Sequence, residues 1–222
     1  MDLNKNSKVI FDLPSKNIFQ ENTPDDPLKF YYKPIVGKLY CSRINRVLSL
    51  LNNNYDIVLE VGYGSGLMLP TLSKITNDLH GIDLDSDPIV VVEDLKKIGI
   101  KADLKQGSIL GTDYQDNKFD LVVGVSVFEH IENLRQASLE IHRILKPGGQ
   151  FLVGMPRVDF LMSKLFRIIG YKGINEHHVS NHKKMISSAL FNEKFELVKF
   201  TKMPSFLPKF AGLYFGMLFK KI

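Results

Sequence analysis

Three glycines at alternate positions follow directly on an apolar run. The stretch 58–67 reads VLEVGYGSGL and contains Gly62, Gly64 and Gly66, with Glu60 two residues before the first glycine. A glycine turn between a strand and a helix lets a ligand approach the backbone and directs free N–H groups toward it. A carboxylate aimed into such a turn repels a pyrophosphate but suits a cationic amino group. These residue types therefore predict a site for a small molecule with a positive charge.

The spacing of the glycines separates two classes of ligand. A dinucleotide-binding turn has the pattern G-x-G-x-x-G, and the position of its third glycine is Leu67 here. A second acid, Asp83, ends another apolar run about 20 residues after the glycines. Carboxylates at the ends of apolar strands are costly to bury without a partner, so we expect Glu60 and Asp83 to contact a ligand. An NAD-dependent oxidoreductase stays open as an alternative.

Short β-rich runs alternate with helical patterns along the middle of the chain. Strands are expected over residues 57–61, 79–83, 101–106, 119–125 and 150–155. Helices are expected over residues 66–75, 88–98 and 134–145. An earlier helix opens at Pro34, with one apolar face formed by Ile35, Leu39, Ile44, Val47, Leu48 and Leu51. Repeated βα units imply an α/β fold with a parallel sheet and helices on both faces.

The pattern changes after Pro156. A short amphipathic helix is expected over 159–169, a polar, histidine-rich loop over 172–182 and another helix over 183–191. A further strand is expected over 195–203. The last run, 213–220, fits either a strand or a helix. The apolar stretch 206–222 has a basic end, so it also fits a peripheral membrane contact.

Four stretches of the chain resemble the motifs of one family. They read VLEVGYGSG (58–66), LHGIDLD (79–85), FDLVVGVSVFEHI (119–131) and ILKPGGQFLVGMP (144–156). In this order they resemble the class I S-adenosylmethionine-dependent methyltransferases, and most of all the small-molecule subset of that family. The resemblance implies a Rossmann-like, mostly parallel seven-stranded sheet with helices on both faces and an antiparallel last strand. It also implies S-adenosylmethionine as the cofactor.

The same resemblance assigns cofactor contacts to residues of these motifs. Asp83 occupies the place of the acid that binds the ribose hydroxyls in the family. The chain has Gly107-Ser108 where the family often has Gly-Asp, so a serine hydroxyl or a backbone N–H near Ile109 is expected to meet the adenine. The expected cofactor-binding residues are Glu60, Gly62, Tyr63, Gly64, Gly66, Asp83, Leu84, Ser108, Ile109 and Val125.

Methyl transfer is an in-line displacement that mainly needs alignment of the acceptor and exclusion of water. A base is also useful when the acceptor is a hydroxyl or an acidic carbon, and imidazole is a natural base near neutral pH. The candidate catalytic residues are His130, after the fourth strand, and His178, in the segment where the family usually builds its substrate cover. His130 also fits a non-catalytic place in the Glu-His pair that is frequent in the family. Glu176, His178 and His182 form too weak a pattern for a metal site, so no metal is expected.

Composition and charge limit the remaining classes. The chain has 222 residues, a net charge of +5 and a single cysteine, Cys41, which excludes an intrachain disulfide. Its lysines are scattered rather than arranged in a stripe, which disfavours a nucleic-acid partner. The sequence has no signal-peptide pattern and no apolar run long enough to span a bilayer, so a cytoplasmic location is expected.

Together these features predict one methyltransferase domain over residues 1–222. It is divided into an irregular lead-in (1–34), a cofactor-binding core (35–156), a substrate-cover insertion (157–192) and C-terminal strands (193–222). The expected function is methyl transfer from S-adenosylmethionine to a small-molecule or lipid-like acceptor, by O- or C-methylation. The alternative is a non-catalytic or partner-dependent S-adenosylmethionine-binding protein of the same fold.

Overall fold

A computed structural model describes residues 8–23, 26–52, 54–157, 194–206 and 212–222 of the chain. These residues contain one sheet of seven strands. The strands are β1 (Ile57–Val61), β2 (Asp78–Asp83), β3 (Asp103–Gln106), β4 (Phe119–Val125), β5 (Leu145–Pro156), β6 (Phe195–Met203) and β7 (Tyr214–Lys221).

Helices connect most of the strands within the same described ranges. They are α1 (Leu28–Tyr31), α2 (Pro34–Leu48), α3 (Leu69–Leu72), α4 (Pro88–Lys96), α5 (Leu134–Ile144) and a 3-10 turn (Phe128–His130). The start of α4 has a clear local cause, because the side chain of Asp87 accepts a hydrogen bond from the backbone N–H of Ile89 at 2.9 Å. The described ranges contain no helix that is both long and apolar enough to cross a membrane.

The order of the strands in the sheet is β3-β2-β1-β4-β5-β7-β6. Neighbouring strands from β3 to β5 are parallel, whereas β7 runs antiparallel to both β5 and β6. The chain order reverses between β1 and β4, which is the switch point where open α/β sheets bind ligands. The predicted fold class is therefore confirmed: a Rossmann-like, mostly parallel seven-stranded sheet with an antiparallel last strand.

Helices cover both faces of the sheet, as the sequence predicts. On one face, α2 and α4 bury Val47, Leu48 and Val91 in a core with the sheet. On the other face, α5 buries Ile141 and Ile144 in a second core. The almost wholly apolar sequence of β4 follows from this arrangement, since a central parallel strand is covered on both faces.

The last run of the chain is a strand rather than a helix. As β7, it pairs along its length with β5 and β6, and the side chains of residues 214–219 are buried. The side chains that a membrane contact through this run would need are therefore used by the sheet. Residues 207–211 of the same apolar stretch lie outside the described residues.

The apolar face predicted for the helix after Pro34 is wrong at its first two positions. Ile44, Val47 and Leu48 are buried, but Ile35 and Leu39 are 84% and 54% exposed. At 3.6 residues per turn, nine residues correspond to about 900°, so positions 35 and 44 point in opposite directions. The face that packs on the sheet is the one that carries Ile44, and Ile35 and Leu39 lie on the outer face.

The helix after the glycine turn is shorter than predicted. The pattern over 66–75 predicts ten residues, but α3 contains only Leu69–Leu72. Gly66 has a φ of +83°, a left-handed conformation that delays the start of the helix, and Pro70 has no N–H to donate within it. After Leu72 the backbone N–H of Ile75 bonds to the carbonyl of Leu72 at 3.0 Å, a tighter turn that ends the helix.

The other boundaries differ by a few residues, and the domain division stays a prediction. β3 begins at Asp103 rather than at residue 101, and α4 ends at Lys96 rather than at residue 98. The largest difference is at β5, which begins at Leu145, five residues before the predicted start at residue 150. The helices and the histidine-rich loop expected over 159–191 lie outside the described residues. In the lead-in, Val9, Phe11 and Phe19 are buried although residues 8–23 contain no helix or strand.

Removal of residues 206–222 tests the role of β7. This truncation deletes β7 from between β5 and β6, and with it the buried side chains of Phe215, Leu218 and Phe219. Each such side chain contributes ~1.5–3 kcal/mol when fully buried, against a typical net stability of about 5–15 kcal/mol. We therefore expect an unfolded or insoluble product, measured by far-UV circular dichroism and thermal unfolding. Deletion of Ile222 alone, which is 68% exposed, is the control and should leave both signals unchanged. A soluble, folded truncation would contradict the strand assignment.

Candidate functional site

A cavity of about 590 Å³ lies at the carboxyl ends of β1, β2 and β4, the edge at which the strand order reverses. Its volume is that of a small-molecule site, and its position is the one where α/β sheets bind ligands. Of the ten predicted cofactor-binding residues, Gly66 does not line the cavity. The nine that do are Glu60, Gly62, Tyr63, Gly64, Asp83, Leu84, Ser108, Ile109 and Val125.

The three glycines of the turn have different physical roles. All have a positive φ, of +74° at Gly62, +53° at Gly64 and +83° at Gly66, a region that favours glycine. A Cβ on Gly66 would lie 2.4 Å from a methyl carbon of Val91, so this glycine lets α4 pack behind the turn. A Cβ on Gly64 would have no atom within 4 Å. Gly64 is therefore the glycine that leaves room for a ligand.

The N–H groups of the three glycines themselves are bonded within the protein. The N–H of Gly62 donates to the carbonyl of Ile82 at 2.8 Å, and that of Gly66 donates to the carbonyl of Tyr63 at 2.7 Å. The N–H of Gly64 donates to the side chain of Asp83 at 2.9 Å. A turn whose glycine donors are already used is poorly suited to a pyrophosphate, which argues against the dinucleotide alternative.

Asp83 joins the end of β2 to the glycine turn after β1. Its Oδ1 accepts the backbone N–H groups of Asp85 at 3.0 Å and Ser86 at 2.9 Å, while its Oδ2 accepts the N–H of Gly64. A carboxylate has about four acceptor positions, so Oδ2 can still accept a hydrogen bond from a ligand hydroxyl. These bonds hold the carboxylate at the wall of the cavity in one orientation.

Glu60 presents a buried carboxyl group to the same cavity. The residue is only 3% exposed, and no described residue hydrogen-bonds to its Oε2. Burial raises the pKa of this carboxyl well above its usual value, and the nearby charge of Asp83 raises it further. An unpaired acceptor at this depth fits a donor that a ligand brings, and a cationic donor fits best.

Arg43 supplies a positive charge that the sequence analysis missed. The side chain comes from α2 and lines the cavity. Its guanidinium carbon Cζ lies 3.9 Å from the ring centroid of Tyr40. Its Nη2 donates to the hydroxyl of Tyr31 at 3.3 Å, and its buried Nε has no hydrogen-bond partner among the described residues. A signal was present in the sequence, because Arg43 stands four residues before the buried Val47 and so near the inward side of the helix.

The lead-in also reaches the cavity, which the sequence analysis did not predict. Asp26 lines the cavity and is 4% exposed. Its Oδ1 accepts the backbone N–H of Leu28 at 2.9 Å and the hydroxyl of Ser65 at 3.3 Å, so it contacts the glycine turn directly. Burial raises the pKa of the Asp26 carboxyl. The segment before α2 therefore forms one wall of the site.

Ser108 and Leu84, which the resemblance assigns to the adenine, also line the cavity. The hydroxyl oxygen of Ser108 accepts the backbone N–H of Leu110 at 3.2 Å, so its proton is available to a ligand acceptor. Ile109 is 6% exposed and Leu84 is 62% exposed, and together they offer an apolar surface for a flat ring. The lining thus combines charged side chains, Glu60 and Arg43 among them, with apolar ones such as Ile109.

The loop after β4 separates the predicted Glu-His pair. His130 lines the cavity, whereas Glu129 is 2% exposed with an Oε2 that has no partner among the described residues. Burial raises the pKa of Glu129 to about 8. Ser126 holds the loop in place: its φ is +59°, and its Oγ lies 2.7 Å from the hydroxyl of Tyr214. Of the two residues, only His130 lines the cavity.

The second candidate base and the metal pattern fall on undescribed residues. His178 lies outside the described ranges, as do Glu176 and His182. Within the described ranges, no group of three or more metal-ligating side chains is found.

Comparisons with known proteins agree with this arrangement. Residues 59–153 match the family model described as a methyltransferase domain. A ubiquinone biosynthesis O-methyltransferase of Dechloromonas aromatica is 29% identical over 196 residues, which are 86% of this chain and 81% of that relative. A probable S-adenosylmethionine-dependent methyltransferase of Mycolicibacterium smegmatis is 31% identical over 104 residues, which are 46% of this chain and 39% of that relative.

A solved structure supports the same fold. The N-methyltransferase NodS from Bradyrhizobium japonicum WM9, in complex with S-adenosyl-L-homocysteine, matches 90% of this chain and 94% of its own at a TM-score of 0.61. At 20% identity, this likeness shows the fold alone. With the family-model match and the methyltransferase relatives, the predicted activity and cofactor are confirmed: residues 59–153 carry a methyltransferase domain that uses S-adenosylmethionine. In sequence motifs and in fold, the chain is similar to the class I S-adenosylmethionine-dependent methyltransferases.

Proposed function

We propose that the chain methylates a hydroxyl group of a small-molecule or lipid-like acceptor. The observation that carries the proposal is the 29% identity to a ubiquinone biosynthesis O-methyltransferase over 86% of the chain. The relatives favour O-methylation over C-methylation, and they do not favour the alternative of a non-catalytic S-adenosylmethionine-binding protein.

Within this proposal, Glu60 and Arg43 bind the amino-acid part of the cofactor. The unpaired Oε2 of Glu60 accepts the ammonium group, which compensates the burial of its carboxylate. The guanidinium of Arg43 donates to the carboxylate through its unpaired Nε and the terminal nitrogens. Two opposite charges on the cavity wall thus match the two opposite charges of the ligand.

Asp83 and Ser108 bind the nucleoside part in the same proposal. The free acceptor position of Asp83 Oδ2 takes a ribose hydroxyl. The hydroxyl of Ser108 donates to the adenine edge, and Leu84 and Ile109 contact its faces. The carboxylate that the family often has after the third strand is then replaced by a neutral hydroxyl, at a cost of ~1 kcal/mol.

The chain's own contribution to the reaction is mainly alignment. S-adenosylmethionine supplies an activated methyl group on a sulfonium sulfur. The cavity walls hold the acceptor in line with that group and exclude water, which can lower the barrier by ~7–11 kcal/mol. His130, which lines the cavity after β4, accepts the proton that the acceptor hydroxyl loses.

Two nucleosides separate the proposed roles of the binding residues. S-adenosylhomocysteine carries the amino-acid part, whereas 5′-methylthioadenosine lacks it. Glu60→Gln and Arg43→Met should each lower the affinity for S-adenosylhomocysteine by about tenfold or more, because each removes a charge-assisted hydrogen bond. Neither substitution should change the affinity for 5′-methylthioadenosine. Asp83→Asn should lower the affinity for both ligands. Isothermal titration calorimetry measures the affinities.

Glu93→Gln is the matched control for this series. Glu93 is an exposed acid on α4 and does not line the cavity, so both affinities should stay at the wild-type values. Thermal unfolding of each free variant checks the fold, since Asp83 also holds the turn. The assignment of Glu60 and Arg43 fails if either variant loses affinity for both nucleosides equally, or for neither of them.

The raised pKa of Glu60 predicts a pH dependence of cofactor binding. Below that pKa the carboxyl is protonated in the free protein, and the ammonium group of the ligand favours the ionised form. Binding should therefore release a proton, so affinity for S-adenosylhomocysteine rises with pH until the pKa of the free protein is passed. Calorimetry in buffers of different ionisation enthalpy measures the released proton. In Glu60→Gln the proton release should disappear; equal release in this variant would assign it to another group.

Methyl transfer itself is tested with labelled cofactor and a panel of hydroxylated aromatic compounds, with and without an alkyl chain. Label should enter at least one of them at a hydroxyl oxygen. With that acceptor, His130→Gln should lower kcat by about 10²–10⁴-fold at neutral pH, with unchanged affinity for S-adenosylhomocysteine. Label on carbon or nitrogen would overturn the hydroxyl proposal, and an unchanged kcat would remove His130 as the base.

A further inference from the structure

The outer face of α2 carries exposed apolar side chains that the sheet does not use. Ile35 and Leu39 are 84% and 54% exposed, and at positions i and i+4 they are neighbours on the helix surface. Ser42 and Arg46 continue the same face at i+7 and i+11, and both are exposed. Single exposed apolar residues are ordinary, but an adjacent pair on one helix face forms a patch. We call the surface formed by Ile35, Lys38, Leu39 and Arg46 the α2 patch.

The charges along this segment have one sign. The sequence contains no Asp or Glu from residue 27 to residue 55. Five bases occur in the same segment, namely Lys29, Lys33, Lys38, Arg43 and Arg46. Lys29 pairs with Glu21 at 3.5 Å, and Arg43 lines the cavity. The exposed Lys33, Lys38 and Arg46 remain beside the apolar pair, and no acid of the helix offsets their charge.

This combination matches a surface of anionic lipid. Helices that lie in a membrane interface place apolar side chains in the headgroup boundary and surround them with Lys and Arg. Each base near an anionic leaflet adds attraction, and an intervening acid would cancel it. A nucleic acid would use the bases but would gain little from Ile35 and Leu39. The exposed apolar pair therefore favours a bilayer.

Helix α2 is also a wall of the cavity. Arg43 and Ile44 line the cavity, while Ile35 and Leu39 of the same helix face away from the sheet. An α-helix with its side chains is about 10–12 Å across. A bilayer on the outer face would therefore lie about one helix diameter from the cavity wall.

We propose that the α2 patch docks the chain on an anionic lipid surface. Ile35 and Leu39 enter the boundary between headgroups and acyl chains, and Lys38 and Arg46 contact the phosphates. Docking in this orientation places the cavity beside the bilayer, from which a lipid-like acceptor can enter. The docking itself is independent of the acceptor and of methyl transfer, so its failure would leave the proposed function untouched.

Vesicle co-sedimentation tests the proposal with the full chain. Wild-type protein should sediment with equimolar phosphatidylglycerol and phosphatidylcholine vesicles at low salt, and should stay in solution with pure phosphatidylcholine. Ile35→Ser with Leu39→Ser should lower the partition coefficient by about tenfold or more, because the apolar contact is lost. Lys38→Gln with Arg46→Gln should lower it at low salt and remove most of its salt dependence.

Each double variant has a matched control elsewhere on the surface. Ile10→Ser with Ile89→Ser removes two apolar side chains that are 68% and 67% exposed. Lys96→Gln with Lys101→Gln removes two exposed bases. Both controls should partition like wild type. All substituted side chains are exposed, so thermal unfolding should be unchanged throughout.

Four results would overturn the proposal. The first is wild-type protein that does not sediment with the anionic vesicles. The second is an Ile35→Ser/Leu39→Ser variant that partitions into the vesicles as strongly as wild type does. The third is a dimer in analytical ultracentrifugation that this variant converts to monomer without a change in vesicle binding, which would make a second copy the occupant. The fourth is duplex DNA binding that the Lys38/Arg46 variant abolishes while vesicle binding persists.

Discussion

The carboxylate of Asp83 ties the end of β2 to the glycine turn after β1, and the rest of the site depends on that tie. It accepts the N–H of Gly64 at 2.9 Å and two further backbone N–H groups of its own loop. A glycine turn in a dinucleotide fold offers its N–H groups to a pyrophosphate. Here the three glycine N–H groups are already bonded within the protein. The turn therefore shapes a space beside the carboxylates of Glu60 and Asp83, and such surroundings favour a cation over a phosphate.

Two buried glutamates show how the surroundings give the same side chain different uses. Glu60 and Glu129 are 3% and 2% exposed, and each has an unpaired carboxyl oxygen among the described residues. Burial raises the pKa of both groups. Only Glu60 lines the cavity, so a ligand can compensate the free energy that its burial costs. Glu129 does not line the cavity, and it lies near Arg43 and Tyr214, with which it interacts electrostatically.

Different sides of helix α2 face the cavity, the core and the solvent. Its inward face buries Val47 and Leu48 on the sheet, and Arg43 one turn earlier lines the cavity. The guanidinium is held between the rings of Tyr40 and Tyr214, whose centroids lie 3.9 Å and 5.5 Å away. Since Tyr214 begins β7, the late strand and the early helix together fix this charge. A helix before the first strand and the last strand of the sheet thus both contact this cavity-lining arginine.

The family and the main features of its fold could be predicted from the sequence because their causes are local. The alternation of apolar strands with helices predicted the parallel part of the sheet, and the resemblance to the family supplied its antiparallel last strand. The positions of Glu60, Gly64 and Asp83 predicted the edge where the cavity lies. Glu60 and Gly64 stand within one short motif, and the parallel pairing of the neighbouring strands β1 and β2 brings Asp83 beside them. The sequence by itself therefore determined the sheet, the cofactor and one side of the site.

Tertiary structure decided what distant segments contribute. Arg43, Asp26 and Tyr31 reach the cavity from before the first strand, and no local pattern relates their positions to the glycine turn. The same holds for the inward face of α2, where packing on the sheet selected Ile44 and left Ile35 and Leu39 outside. Likewise, the last run became a strand because β5 and β6 both offered it backbone partners. Contacts between residues far apart in sequence depend on how whole elements pack, and local spacing does not carry that information.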